Sequence, residues 1–188
     1  EIEALIKLAK EGYVDIAAVG NEVMYRKDLT EEQLLAYIQR VKDAVPDTPV
    51  GYVDAYYEFE DHPAITEICD VILANCYPFW EGCAIEYSLL YMKDMFRRTQ
   101  KVAAGKQVII TETGWPNQGE KFHGAEPSEE NAIRYFLNTQ KWAQTDDIDI
   151  FYFSSFDESW KVGAEGDVGA FWGLWDKVEQ PKYTVKLS

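Results

Sequence analysis

Apolar residues along the chain recur in two alternating patterns, three- and four-residue steps in some stretches and short unbroken runs in others. The first pattern predicts helices over Glu1–Glu11, stopped by Gly12, and over Tyr87–Val102, where Leu89, Leu90, Met92, Met95 and Phe96 repeat and Gly105 ends the element. It also predicts a helix opened by Thr30, with Gln33 at the capping-box position, running to Pro46, and one over Glu129–Ala143 capped by Ser128, with Ile133, Phe136, Leu137 and Gln140 spaced along it. The second pattern predicts strands at Tyr13–Gly20, Pro49–Asp54, Asp70–Asn75, Gln107–Thr111 and Asp149–Ser155, with one or two helical turns over His62–Ile68. A helical stretch between most successive strands implies right-handed crossovers and a parallel sheet, so the class is α/β. No linker, low-complexity tract or repeat interrupts residues 1–188, which read as a single domain.

In parallel α/β architectures, chemistry concentrates in the loops beyond the carboxyl ends of the strands. Those positions are Asn21-Glu22, Asp54, Tyr77-Pro78, Glu112-Thr113 and Phe156-Asp157-Glu158. Two strands therefore end on a glutamate. Partial desolvation at a sheet rim can keep one carboxyl protonated while a polar neighbour holds the other ionised, which is the pairing that glycosidic cleavage needs.

Charge narrows the partners. With 18 Lys+Arg against 33 Asp+Glu, the net charge is −15, so neither nucleic acid nor a membrane surface is an expected partner. Aromatic residues make up 14% of the chain, with six Trp and twelve Tyr, flat side chains suited to sugar rings as well as to packing. Cys69, Cys76 and Cys83 are too few to staple a fold and are expected as buried thiols, and with His62 and His123 far apart no metal site is expected. The opening EIEALIKLAKEG has neither a basic leader region nor a long apolar run.

The words around the two glutamates resemble a known family. AVGNEV at Ala18–Val23 and ITETGWP at Ile110–Pro116 are similar to the acid/base and nucleophile signatures of glycoside hydrolase family 17, the β-1,3-glucanases and related transglucosidases. NCYPFW at Asn75–Trp80, FYFSSFDESWK at Phe151–Lys161 and the closing GAFWGLWDKVEQPKY extend the likeness over essentially the whole chain, and NEVMYRKDLTEEQLLAYI is closer to bacterial members than to plant ones. The resemblance implies a retaining mechanism on a (β/α)8 TIM barrel, without metal or organic cofactor. It implies Glu22 as general acid/base, Glu112 as nucleophile, and a carboxyl separation of about 5–5.5 Å. Asn21 matches the contact to the sugar 2-hydroxyl, Tyr77 stands where its hydroxyl can orient the nucleophile, and Glu158 with Lys161 keeps the spacing of a sugar-binding pair. Phe79, Trp80, Trp115 and Trp160 are candidate stacking platforms.

Two departures qualify the likeness. Ser154 and Ser155 stand where many relatives have Glu-Ala, which removes one polar contact expected on the substrate side. The chain also begins in what resembles the third helix of a barrel, so the expected fold is a partial barrel of about five parallel strands matching strands 4–8. Such a sheet has two open edges, and a homodimer or higher assembly covering them is expected. The implied activity is retaining hydrolysis of β-1,3-linked glucan. Transglucosylation through the same intermediate is the nearest alternative, and a carbohydrate-binding or assembly module with little turnover is the alternative from another class. The expected location is extracellular or periplasmic.

Overall fold

The computed structural model describes residues 1–163 and 165–183. Five strands, β1 (Ala17–Asn21), β2 (Val50–Ala55), β3 (Val71–Asn75), β4 (Gln107–Thr113) and β5 (Ile150–Tyr152), follow one another across a single sheet in chain order. Parallel pairing is in register from Gly51↔Val71 to Ala55↔Asn75, whereas β1 slips against β2 between Ala18 and Asn21. Between the strands run α1 (Ile2–Lys10), α2 (Val23–Arg26), α3 (Glu31–Ala44), α4 (Glu58–Asp61), α5 (Pro63–Ile68), α6 (Ser88–Ala103) and α7 (Glu129–Asp146). This is the expected α/β partial barrel.

The chain gathers into two compact units, one of Glu1–Cys76 with Asp94–Thr111, the other of Tyr77–Lys93 with the chain from Glu112 onward. In the first unit, α3 starts with the capping box read from the sequence: Thr30 Oγ1 accepts from the Gln33 amide at 3.3 Å, and the Gln33 side chain accepts from the Thr30 amide at 3.0 Å. Leu34, Ile38 and Val41, four and three residues apart, bury its inner face. Val53, Val71, Leu73 and Ile109 form a second apolar cluster. Lys42 stitches the α3 side to the loop before β3, donating to the Ile68 carbonyl at 2.7 Å and pairing with Asp70. Arg98 of α6 forks onto Glu60 and lies over the Tyr56 ring at 4.8 Å.

The second unit is built around aromatic residues. Phe79, Ile85, Trp115, Ala125, Ala132, Tyr135, Val168 and Trp172 form its core, bordered by half-buried Tyr77, Trp80, Tyr152 and Phe153. Helix α7 is capped by Ser128, whose side chain accepts from the Asn131 amide at 3.1 Å. Gly114 lies where backbones touch: a Cβ there would meet the Phe153 carbonyl oxygen at 2.0 Å. Gly114→Ala therefore has to push two chain segments apart, and is expected to cost about 2–3 kcal/mol, read as a fall of roughly 5–10 °C in Tm by thermal denaturation. An unchanged Tm would show that the contact yields freely.

Several element boundaries move from the sequence expectation. Strand β1 begins only at Ala17, because the preceding segment is a connector with Tyr13 exposed, and β1 itself is exposed at alternate positions rather than buried on both faces. The face of α7 is turned by about one residue: Ala132, Tyr135, Thr139, Trp142 and Ala143 are buried, while Leu137 is exposed. In α6, Leu90 is likewise exposed, with Met92, Met95 and Phe96 inside. Strand β5 is three residues long; just past it the Phe153 amide still donates to the Thr113 carbonyl of β4, and the Ser154 amide donates to the Trp172 carbonyl instead. Cys69 and Cys76 are buried, whereas Cys83 is half-exposed. Burial pushes the Cys69 thiol up to about 11 and raises that of Cys76 further.

Candidate active site

Each of the two glutamates singled out by the sequence has a local frame within its own unit. In the first, β1 ends at Asn21 and the chain turns sharply, so that Glu22 adopts a left-handed backbone with φ 54°. A non-glycine residue there costs roughly 1–2 kcal/mol, and such strain is found where the surroundings enforce a functional geometry. The Glu22 amide donates to the Val53 carbonyl at 2.8 Å. Its carboxylate receives the Asn75 Nδ2 amide at 3.0 Å on Oε1 and faces Arg26 Nη1 at 3.6 Å on Oε2. Asn75 ends β3 and is itself buried. The Thr111 hydroxyl donates to Asn75 Oδ1 at 2.8 Å, which fixes the amide so that its N–H points at Glu22. Arg26 also donates to the Asn21 carbonyl at 2.6 Å, bracing the turn, and Asn21 is exposed.

In the second unit, Glu112 lies inside β4, not beyond it, because the strand continues to Thr113. The Tyr77 hydroxyl donates to Glu112 Oε2 at 2.8 Å and orients the carboxylate. Tyr77 is held in turn by edge contacts with Phe153 and Trp172, at centroid distances of 6.5 and 5.5 Å. Thr113 is locked by its hydroxyl to Tyr135 at 2.6 Å and by its carbonyl to the Phe153 amide at 2.7 Å, so neither end of this segment can swing. Glu158 and Lys161 are brought together, with Nζ 3.7 Å from Glu158 Oε2, and the same ammonium pairs with Glu165 at 3.1 Å and lies 4.4 Å over the Phe153 ring. Asp157 points the other way, into a buried pair with Lys182 at 2.7 Å, whose ammonium burial holds below the usual lysine range.

The candidate stacking residues divide by exposure. Phe79 and Trp115 are 0% and 1% exposed, with Trp115 Nε1 bonded to the Glu126 carbonyl, which corrects the expectation that they offer a face to sugar: both are core. Trp80 is half-buried against Phe79, Phe122 and Trp172, and Trp160 is 73% exposed. Asn75, Thr111, Arg26 and Lys182 were not picked out by sequence reasoning. For Asn75 the signal was present, as a polar residue closing an apolar strand run.

Each unit thus carries one oriented carboxylate, Glu112 held by a tyrosine hydroxyl and Glu22 by a buried amide, and carboxylates are the groups that glycosidic cleavage uses. Residues 1–173 match the family model of the BtgE/BtgC glycoside hydrolase domain. The chain is 31% identical to the glucan 1,3-β-glucosidase of Arthroderma benhamiae, over 98% of its own length and 66% of that relative's. It superposes on the crystal structure of the glycoside hydrolase family 17 β-1,3-glucanosyltransferase from Rhizomucor miehei with a TM-score of 0.88 and 31% identity, covering 97% of this chain and 68% of that one. An active-site mutant of the same Rhizomucor enzyme, in complex with laminaritriose, superposes with a TM-score of 0.87 at 30% identity, over the same shares of the two chains. The chain belongs to the BtgE/BtgC glycoside hydrolase domain family, within glycoside hydrolase family 17. The relatives named here are fungal, where the Asn21–Ile38 segment suggested bacterial ones, and the chain spans 66% of the length of the curated relative.

Proposed function

We propose that this chain carries the catalytic carboxylates of a retaining enzyme acting on β-1,3-linked glucan through a covalent glycosyl-enzyme. The observation that carries the reading is the Tyr77 hydroxyl fixed on Glu112 in a strand end that keeps the family's nucleophile signature. A Glu112 oxygen attacks the anomeric carbon, the glycosidic C–O bond breaks, and its electron pair leaves on an oxygen that takes the proton of Glu22. Glu22, now a carboxylate, removes a proton from the incoming water, whose oxygen displaces Glu112. Asn21 contacts the sugar 2-hydroxyl as positive charge develops at the anomeric carbon. Glu158, Lys161, Trp80 and Trp160 bind sugar. If a sugar hydroxyl takes the place of water the same steps give transglycosylation, and the likeness to a glucanosyltransferase favours keeping that second reading.

The test is a trapping experiment. A 2-deoxy-2-fluoro laminaribiosyl fluoride should leave a stable adduct, and peptide mass spectrometry should find it on Glu112. An adduct on any other carboxylate overturns the assignment. In the same reading, the sheet edges β1 and β5 are covered by self-association, a homodimer or higher assembly, supported by the backbone groups that edge strands offer to a partner. Light scattering at micromolar concentration should report more than one copy, and a monomer overturns it. A glucan polymer does not cross a membrane unaided, so an extracellular or periplasmic location belongs to the proposal.

A further inference from the structure

The penultimate residue of strand β2 is an acid that none of the roles above uses. Asp54 is 0% exposed, and a buried carboxylate is expensive unless several donors meet it. Four do. Its Oδ1 accepts from the Ala55 amide at 2.7 Å, and its Oδ2 accepts from the Met24 amide at 3.1 Å, the Tyr25 amide at 3.3 Å and the Tyr52 hydroxyl. The Tyr52 oxygen also accepts from the Met24 amide, at 2.8 Å. The residue between Tyr52 and Asp54 contributes as well, because the Val53 carbonyl takes the Glu22 amide. Three consecutive residues of β2 thus hold the amides of Glu22, Met24 and Tyr25.

Those amides belong to the turn in which Glu22 takes its left-handed backbone, and the direction of the Glu22 side chain toward Asn75 depends on that turn. A helix of one turn, α2, cannot hold this geometry by itself. A serine or threonine would satisfy one amide, whereas a carboxyl group with tyrosine beside it satisfies two and takes a hydroxyl besides.

We propose that Asp54, buttressed by Tyr52, is a positioning residue for Glu22, fixing the turn that aims the acid/base carboxyl at the glycosidic oxygen. The inference rests on the proposed role of Glu22, and the test is arranged to separate the two. It compares two readouts of the full chain, turnover of laminarin, whose leaving oxygen needs a proton, and the pre-steady-state burst of dinitrophenolate from a 2,4-dinitrophenyl laminaribioside, a first step that needs none.

Asp54→Asn is expected to lower kcat on laminarin by about 10²-fold with KM little changed, while the pre-steady-state burst of dinitrophenolate, which reports the first step alone, stays nearly as in the parent. Tyr52→Phe should show the same contrast to a smaller degree, and it carries the test alone should Asp54→Asn not fold by circular dichroism. Equal losses on both readouts would make Asp54 a residue of general structure, and no loss on either would make it dispensable; each overturns the inference. Glu22→Gln is the control. If it loses laminarin turnover and the dinitrophenolate burst equally, the acid/base reading fails and this inference fails with it, whereas a control that loses only laminarin turnover, with unaffected Asp54 and Tyr52 variants, sinks this inference alone.

Discussion

Glu112→Gln is expected to all but abolish turnover of laminarin, lowering kcat by roughly 10⁴–10⁶-fold. The amide is nearly isosteric and its oxygen can still accept from the Tyr77 hydroxyl, so the frame around the side chain stays intact. What is lost is nucleophilicity, because an amide oxygen does not form the glycosyl ester. A better leaving group does not help, since bond formation to the anomeric carbon is the missing step. The measurement is kcat on laminarin and on a dinitrophenyl laminaribioside, with thermal unfolding to show that the variant folds. Retention of a tenth of the activity on either substrate would remove Glu112 from the nucleophile's role.

Removing the other carboxyl should look different. Glu22→Ala is expected to cost about 10²–10⁴-fold in kcat/KM on laminarin, the usual worth of proton transfer to and from a reacting oxygen. With the dinitrophenyl substrate the first step proceeds, because that leaving group departs without a proton, and the glycosyl-enzyme then waits for a base that is gone. Azide needs no base. Added azide should therefore raise the rate and give the β-glycosyl azide, with net retention visible by nuclear magnetic resonance. If azide leaves the rate unchanged, or if Glu22→Ala and Glu112→Gln respond alike, the division of roles is wrong.

The sequence made two helix starts and the strand order legible for definite physical reasons. Thr30 and Ser128 are read correctly because a cap is a local interaction between a side chain and an amide three residues on. The order of five strands followed from apolar runs alternating with helical periodicity, since both faces of a parallel sheet must be covered. Other features depend on partners distant in the chain. That Asn75 addresses Glu22 and Asp54 binds the turn after it follows from the parallel register of β1, β2 and β3, which no local pattern prints. Composition alone could not divide the aromatics. Trp115 and Trp160 are the same residue in similar company, and only the closing of Phe79, Tyr135 and Trp172 around the first decides that it packs. The one-residue rotation of α7 has a similar origin, because Tyr135 is drawn inward by its hydroxyl bond to Thr113, which a hydrophobic count does not score.

The burial of Cys76 gives the molecule a built-in reporter. Cys76 directly follows Asn75, which addresses Glu22, and its desolvated sulfur is poorly ionised and out of reach of alkylating reagents. Iodoacetamide can modify it only when the end of β3 opens, so the labelling rate counts those openings in the way amide exchange does. Half-exposed Cys83 in the same chain supplies a second, more accessible thiol for reference, its own ionisation held back by partial burial and by Glu86. The ratio of the two labelling rates therefore reports how often the end of β3 opens, turning a silent core residue into a clock for that motion.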